Sequence, residues 1–203
     1  MAQAKQIAVP GRSLILLDRD GVINKVVVDP EHGTVDSPLH PSQVEIFPWV
    51  PSAVAGLTAA GFDIAIVTNQ PSWAKGKTTR QNLLDVHEEI IKLATSAGGR
   101  IASSHICFHR AEDLCSCRKP KPGLLIEAFE RCPGAEPSQS WMAGDGITDV
   151  VAGSVLGLKT AFIGARKCDG CQLFDKYGVN PIFWGQTLAD FVDFILVHGG
   201  SGR

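Results

Sequence analysis

Short apolar runs alternate with helix-like segments along most of this 203-residue chain, and this alternation constrains the fold more than any single motif does. Apolar runs that end in polar or glycine residues are typical of buried strands, here at residues 13–17, 62–67, 104–108, 140–143, 160–163 and 182–184. Segments with helical spacing or helix-boundary residues separate them, at 51–60, 78–97, 124–131, 147–156 and 187–197. The pattern predicts an α/β fold, a Rossmann-like parallel sheet with helices on both faces.

Length and composition fit one domain over residues 13–198, with residues 1–12 and 199–203 as loose tails. Hydrophobic residues make up 44% of the chain and charged residues 20%, which argues against wholesale disorder. The net charge of −2 argues against a nucleic-acid partner. Because the sequence has no signal-peptide pattern and no apolar run of membrane-spanning length, we expect a cytoplasmic monomer without a membrane partner.

Polar residues follow several of the predicted strands at the point where each strand ends. Asp18 and Asp20 follow the first strand, Thr68 and Asn69 the second, and Asp145 the fourth. Ligands of open parallel sheets bind at the carboxyl ends of the strands. We therefore expect these side chains to form one site.

The residue types at these strand ends suit phosphoryl transfer. The carboxylate of Asp18 can attack phosphorus, and Asp20 can exchange the proton that the reaction needs. Two such close carboxylates favour Mg²⁺, to which Asp145 would add an oxygen ligand. Lys119 would neutralise the phosphate. Taken alone, Asp-x-Asp-Gly is also compatible with a solvated turn or with part of a calcium loop.

The four motifs together resemble the haloacid dehalogenase superfamily of aspartate-nucleophile phosphatases over about residues 14–164. They are Asp18-Arg19-Asp20-Gly21, Thr68, Lys119, and Asp145 with Asp149. The resemblance implies a phosphatase domain in which Asp18 is the nucleophile and Asp20 the general acid and base. It also implies that Lys119 stabilises the phosphoryl-aspartate, that Thr68 and Asn69 bind the phosphoryl group, and that the Mg²⁺ ligands are Asp18, Asp145 and the backbone carbonyl of Asp20.

A second group of residues predicts a zinc site in the loop before Lys119. It consists of three cysteines and one histidine, Cys107, His109, Cys115 and Cys117. A Cys₃His set suits a closed, tetrahedral, structural Zn²⁺ site. The alternative is buried cysteines beside a surface histidine. Cys168 and Cys171, a lone Cys-x-x-Cys pair, offer too few ligands for a second site and are expected to lie in a loop.

Arg118-Lys119-Pro120 directly after the Cys/His residues narrows the resemblance to the heptose 1,7-bisphosphate 7-phosphatases. It implies a small phosphorylated sugar as substrate, contacted by Arg118, and the absence of a large cap domain. The histidinol-phosphate phosphatases share these motifs and are the nearest rival. A polynucleotide 3′-phosphatase, a zinc-stapled nucleic-acid-binding module and an inactive scaffold are each compatible with part of the pattern.

Three residues depart from the usual pattern of that family. In the loop after the second strand, Pro71 removes a backbone donor and Trp73 is larger than the usual aliphatic residue. Gly146 replaces the charged or polar residue that often follows the motif aspartate. These positions lie near the expected substrate pocket, so they bear on the choice of substrate.

Overall fold

The computed structural model describes residues 12–29, 33–165 and 168–198 of the chain. The two predicted tails lie outside these residues except for Arg12. Arg12 is anchored, because its backbone pairs with Gly134 and Glu136 and its guanidinium lies 3.1 Å from the Asp63 carboxylate.

Six parallel strands form the main sheet: β1 (Leu14–Leu17), β4 (Asp63–Asn69), β5 (Ser103–Cys107), β6 (Trp141–Gly144), β7 (Lys159–Ile163) and β8 (Phe183–Gly185). Their order across the sheet is β5-β4-β1-β6-β7-β8. The helices are α1 (Val50–Ala59), α2 (Arg80–Ala94), α3 (Gly123–Arg131), α4 (Ile147–Val155), α5 (Cys168–Tyr177) and α6 (Leu188–His198). The predicted α/β class and its parallel sheet are confirmed. Every helix among the described residues is too short or too polar to cross a membrane.

The central strand β1 is buried on both faces, as its continuous apolar sequence requires. Leu14 and Leu16 pack on one face against the α3 side of the sheet. Ile15 and Leu17 pack on the other face with residues of α1, α2 and α6. This double layer fixes the direction in which β1 delivers the residue that follows it, Asp18.

A two-stranded antiparallel hairpin, β2 (Val27–Asp29) and β3 (Thr34–Asp36), lies in a segment for which the sequence predicted neither a strand nor a helix. Each strand has three residues, and Val28 and Val35 are exposed, so no buried alternation marks the hairpin in the sequence. The hairpin leads directly into the site through Ser37.

Helix α2 begins two residues later than predicted. Its N-cap is Thr79, whose hydroxyl accepts from Asn82 N, whereas the Thr78 hydroxyl donates to Leu39 O. Cys168 and Cys171 belong to α5 and not to a loop. Polar and glycine residues dominate the first turn of α5, which hides its helical character.

Candidate active site

Lys119 lies between two carboxylates at the carboxyl end of the sheet. Its Nζ is 2.9 Å from Asp18 Oδ1 and 2.6 Å from Asp149 Oδ1, and it donates to Val67 O at 2.8 Å. Lys119 and Asp149 are almost completely buried. Asp18 follows β1, Asp149 is in α4, and Lys119 follows the Cys/His loop, so the sheet brings together residues from distant parts of the chain.

Electrostatics at this group favour a bound cation. Burial raises the pKa of Asp18 to about 7, and the Asp149 and Asp145 carboxylates add to the effect while Lys119 opposes it. Desolvation by the surrounding protein, together with the charge of the Asp149 carboxylate, raises the pKa of Asp145 to about 6. Burial alone would lower the pKa of Lys119, but the Asp149 and Asp18 charges raise it. Asp18 and Asp149 therefore share one ammonium group, and Asp145 adds a third negative charge beside them.

The three carboxylates, Asp18, Asp145 and Asp149, can offer oxygen atoms that lie within 4.8 Å of one another. Hard oxygen donors of this kind suit Mg²⁺. Gly21 makes the grouping possible, because its φ is +83° and a Cβ at this position would lie 2.0 Å from Asp145 Oδ2. The loop after β1 can thus approach Asp145 only with glycine at position 21.

Asp20 is held by a separate network of donors. Arg19, fully buried, donates through Nη2 to both carboxylate oxygens at 3.1 Å. Asn24 Nδ2, Ser37 Oγ and Gln70 Nε2 donate as well. Burial would raise the pKa of Asp20, but the Arg19 charge and these hydrogen bonds lower it. The carboxylate is therefore ionised at neutral pH.

Sequence reasoning missed the donors around Asp20. Gln70 directly follows the predicted pair Thr68 and Asn69, so its position in the loop was the available signal. For Arg19 the signal was its place between the two motif aspartates. An arginine that is buried there needs a carboxylate partner, because an unpaired buried charge is strongly destabilising. Ser37 carries no such signal, because it reaches Asp20 through the unpredicted hairpin.

The predicted phosphate-binding residues lie beside this network, with their polar groups already engaged. Thr68 Oγ1 accepts from Gln70 Nε2 at 3.0 Å. Asn69 donates from Nδ2 to Lys119 O and accepts from Lys119 N at Oδ1, both at 3.1 Å. The Asn69 side chain therefore fixes the backbone of Lys119. The phosphate contacts of Thr68 and Asn69 stay predictions.

The Cys/His cluster, Cys107, His109, Cys115 and Cys117, is brought together as predicted. Its sulfur–sulfur distances are 3.3, 3.4 and 3.7 Å, and His109 Nδ1 lies 3.3 and 3.6 Å from two of the sulfurs. Sulfurs on a tetrahedral Zn²⁺ with bonds of ~2.3 Å would lie about 3.8 Å apart. The donor set and spacing fit zinc.

Backbone contacts connect the Cys/His cluster to the residues that follow it. Arg118 N donates to Cys115 Sγ at 3.4 Å, and Arg118 Nη1 donates to His109 O at 3.1 Å. Lys121 Nζ donates to the carbonyls of Leu114 and Cys115 at 2.7 Å. The predicted substrate residue Arg118 is therefore oriented by the cluster loop.

An apolar cavity of 330 Å³ opens beside Asp145, toward the β7 and β8 side of the sheet. Its lining includes Phe162, Leu173, Phe174 and Trp184. On the opposite, β4 and β5 side of the catalytic carboxylates lies the cationic side chain of Arg118. The two approaches to the site therefore differ in polarity.

Comparison with known proteins places this geometry in a family. A family model described as HAD-hydrolase-like matches residues 116–183. A D-glycero-beta-D-manno-heptose-1,7-bisphosphate 7-phosphatase of Neisseria meningitidis is 35% identical, with 93% of this chain and 97% of that protein covered. A D-glycero-alpha-D-manno-heptose-1,7-bisphosphate 7-phosphatase of Mycobacterium bovis is 33% identical, covering 67% of this chain and 68% of the relative.

A solved structure agrees with these relatives. The D,D-heptose 1,7-bisphosphate phosphatase of B. bronchiseptica, complexed with magnesium and phosphate, superposes with a TM-score of 0.75 at 25% identity. The match covers 91% of this chain and 98% of that one. The chain therefore belongs to the haloacid dehalogenase superfamily and, within it, to the heptose 1,7-bisphosphate 7-phosphatase family, and it is a phosphoric monoester hydrolase.

Proposed function

We propose that this protein removes the 7-phosphate of D-glycero-D-manno-heptose 1,7-bisphosphate through an aspartyl-phosphate on Asp18. The observation that carries the proposal is Lys119 held between Asp18 and Asp149 at the end of the central strand. This arrangement supplies a nucleophile with a fixed cation beside it. The names of the relatives supply the substrate.

In the first step, a carboxylate oxygen of Asp18 attacks phosphorus and the bond from phosphorus to the sugar oxygen breaks. Asp20 gives its proton to the leaving alkoxide. Lys119 offsets the charge on the phosphoryl group, and Thr68 and Asn69 contribute to its binding. The donors around Asp20 favour its ionised form, so the proton that it gives must already have been bound, either from solvent or in the second step of the previous turnover.

In the second step, water attacks the phosphorus of the aspartyl-phosphate, and ionised Asp20 accepts a proton from that water. Asp18 is regenerated and inorganic phosphate leaves. The hydrogen bonds from Arg19, Ser37 and Gln70 support this step, because they stabilise the charged form of Asp20 that acts as the base.

Mg²⁺ would be held by Asp18, Asp145 and the backbone carbonyl of Asp20, and it would neutralise the charge of the phosphoryl group when bound. The raised pKa values of Asp18 and Asp145 support this assignment, since a cation would relieve the repulsion that raises them. Zn²⁺ in the Cys/His cluster would be structural, since four protein ligands leave no open position. We further propose that the protein is a cytoplasmic monomer and that its binding partner is a small sugar phosphate.

The test measures phosphate release with Mg²⁺ from four compounds: both anomers of heptose 1,7-bisphosphate, histidinol phosphate and a 3′-phosphorylated oligonucleotide. We expect a strong preference for a bisphosphate. The relatives include enzymes named for each anomer, so the two anomers are assayed separately. Preference for histidinol phosphate or for the oligonucleotide would overturn the substrate assignment.

The mechanism is tested with Asp18→Asn in the same assay. The amide has nearly the volume of the carboxylate but cannot attack phosphorus, so we expect kcat to fall at least about 10⁴-fold. Asp175→Asn, an exposed position on α5, is the matched control and should retain activity. Activity of Asp18→Asn near that of the wild type would refute the mechanism.

A further inference from the structure

An aromatic and cationic group lies on the surface where β4 and β5 end. Trp73, in the loop after β4, is 46% exposed and meets the half-buried Phe108 edge to face, with ring centroids 6.3 Å apart. The guanidinium carbon of Arg80, at the start of α2, lies 4.8 Å from the Phe108 centroid and 5.9 Å from the Trp73 centroid. Three separate elements therefore build one platform, formed by Trp73, Arg80 and Phe108.

Residues that neighbour the platform in the sequence are hydrogen-bonded to the catalytic groups and to Arg118. Gln70, three residues before Trp73, donates its side-chain amide to Asp20, and its backbone N–H donates to Cys107 O at 2.7 Å. Phe108 follows Cys107 directly and precedes His109, whose carbonyl accepts from Arg118. The platform thus lies on the rim between the network of Asp20 and Arg118.

The contacts with Phe108 and Arg80 fix the orientation of the exposed Trp73 ring. The edge-to-face aromatic pair and the cation–π contacts are both attractive, so together they favour one arrangement of Trp73. Binding sites combine such rigid aromatic surfaces with a few placed polar groups. Trp73 offers a flat apolar surface, and exposed Arg80 offers a guanidinium suited to phosphate.

We propose that the platform is a substrate subsite, which takes the part of the ester that is not transferred. The C–H face of the sugar packs on Trp73, and the second phosphate is directed to Arg80. This inference rests on the proposed function and names residues that select the substrate. The other side of the site supports placing the second phosphate at Arg80. The cavity there, lined by Phe162, Leu173 and Trp184, is apolar and does not suit a phosphate.

The experiment compares kcat and KM for three substrates: heptose 1,7-bisphosphate, heptose 7-phosphate and acetyl phosphate. Trp73→Ala should raise KM for both sugar esters on the order of tenfold, with kcat little changed. The ratio of kcat/KM for either sugar ester to that for acetyl phosphate should fall by the same factor. Arg80→Gln should lower the preference for the bisphosphate over the 7-phosphate.

Matched controls are Tyr177→Ala, an exposed aromatic residue on α5, and Arg131→Gln, an exposed arginine at the end of α3. Both should keep the wild-type ratios. If Trp73→Ala lowers kcat for all three substrates equally, the residue acts by supporting the loop and the subsite is refuted. Trp73→Phe, which keeps a flat ring, should restore most of the sugar preference.

The outcomes separate the two proposals. Wild-type enzyme that prefers the bisphosphate, with unchanged ratios in Trp73→Ala and Arg80→Gln, would overturn the subsite and leave the proposed function standing. Wild-type enzyme that cleaves acetyl phosphate but neither sugar ester would overturn the substrate assignment and, with it, the subsite.

Discussion

The buried ammonium group of Lys119 pairs with two carboxylates, those of Asp18 and Asp149, and these two have different roles. Asp18 must remain a nucleophile, whereas Asp149 also accepts from Gly146 N at 3.0 Å and so fixes the start of α4. The lysine therefore joins the chemistry of the site to the packing of a helix. A change at position 119 should affect both activity and stability.

Lys119→Met should abolish turnover and lower the free energy of unfolding by about 3–5 kcal/mol, because it leaves buried carboxylates without their partner. Urea denaturation and phosphate release measure the two effects. Lys92→Met, which removes an exposed ion pair with Glu89, is the control and should cost less than about 1 kcal/mol. An unfolding free energy of Lys119→Met equal to that of the wild type would contradict the ion-pair argument.

His87 in α2 makes the stability of the protein depend on pH. Burial, reinforced by the Arg19 charge and opposed by that of Asp20, lowers the pKa of His87 to about 4. In the unfolded chain the imidazole binds a proton near pH 6.5, but in the folded protein it stays neutral to about pH 4. The contribution of His87 to stability is therefore complete above pH 6.5 and is lost as the pH falls toward 4.

We expect the difference in unfolding free energy between wild type and His87→Leu to change by roughly 2.5 kcal/mol between pH 7.5 and pH 4.5, in favour of the variant at low pH. Urea titrations at several pH values measure it. Comparison with the variant isolates His87 from the carboxylates, which titrate in both proteins. A difference that is independent of pH would show that His87 is protonated in the folded state.

At the scale of elements, the β2–β3 hairpin contributes a residue to the catalytic network although it adds little to the core. Ser37, one residue after β3, donates to Asp20 at 2.9 Å. Asp36, the last residue of β3, accepts from Ser72 at 3.2 Å and pairs with Lys77. The hairpin and the loop after β4 therefore hold each other beside the site.

Ser37→Ala should lower kcat by roughly 10- to 100-fold with little change in KM, because a hydrogen bond to a charged group contributes roughly 1.5–3 kcal/mol. Ser72→Ala is the matched control: its hydroxyl serves Asp36 and not Asp20, so its effect on kcat should be smaller. Steady-state kinetics on the preferred substrate measure both variants. Equal effects would mean that hairpin docking, and not the bond to Asp20, matters.

The Cys/His loop between β5 and α3 also positions a residue of the site, Arg118. We expect Zn²⁺ bound by the Cys/His cluster, and not apolar packing, to hold this loop in place. Removing Zn²⁺ with a zinc-selective chelator in excess Mg²⁺ should lower Tm and expose residues 108–117 to proteolysis. KM should rise, because Arg118 is oriented by this loop. Cys115→Ser should reproduce these effects, whereas Cys132→Ala, a buried cysteine outside the cluster, should retain bound zinc. Full zinc release with unchanged Tm would contradict a structural role.

At the scale of the whole molecule, the features best predicted from the sequence are those marked by a continuous apolar run or by regular hydrophobic spacing. Apolar runs and the residues at their ends predicted the sheet and the meeting of Asp18 and Asp145 at one edge. The hairpin and α5 escaped prediction, because three-residue strands and a polar first turn leave no period to detect.

The hydrogen-bonding residues behind the catalytic groups were missed for a different reason. Gln70 and Ser37 donate to Asp20 from other parts of the fold, and only the position of Gln70 directly after Thr68 and Asn69 was a signal for either contact. Arg19 shows the limit most clearly: a residue between two catalytic aspartates is fully buried, and only the folded chain reveals which carboxylate it serves.

The order of strands also determines when during synthesis the site can exist. β1 is made first, yet it pairs with β4 on one side and, through Ile15 and Trp141, with β6 on the other. The charge partner of Lys119 in α4, Asp149, is made later still. A nascent chain on the ribosome therefore carries Asp18 without a complete catalytic centre until β6 and the start of α4 have been made. The site can form only after β6 is inserted beside β1.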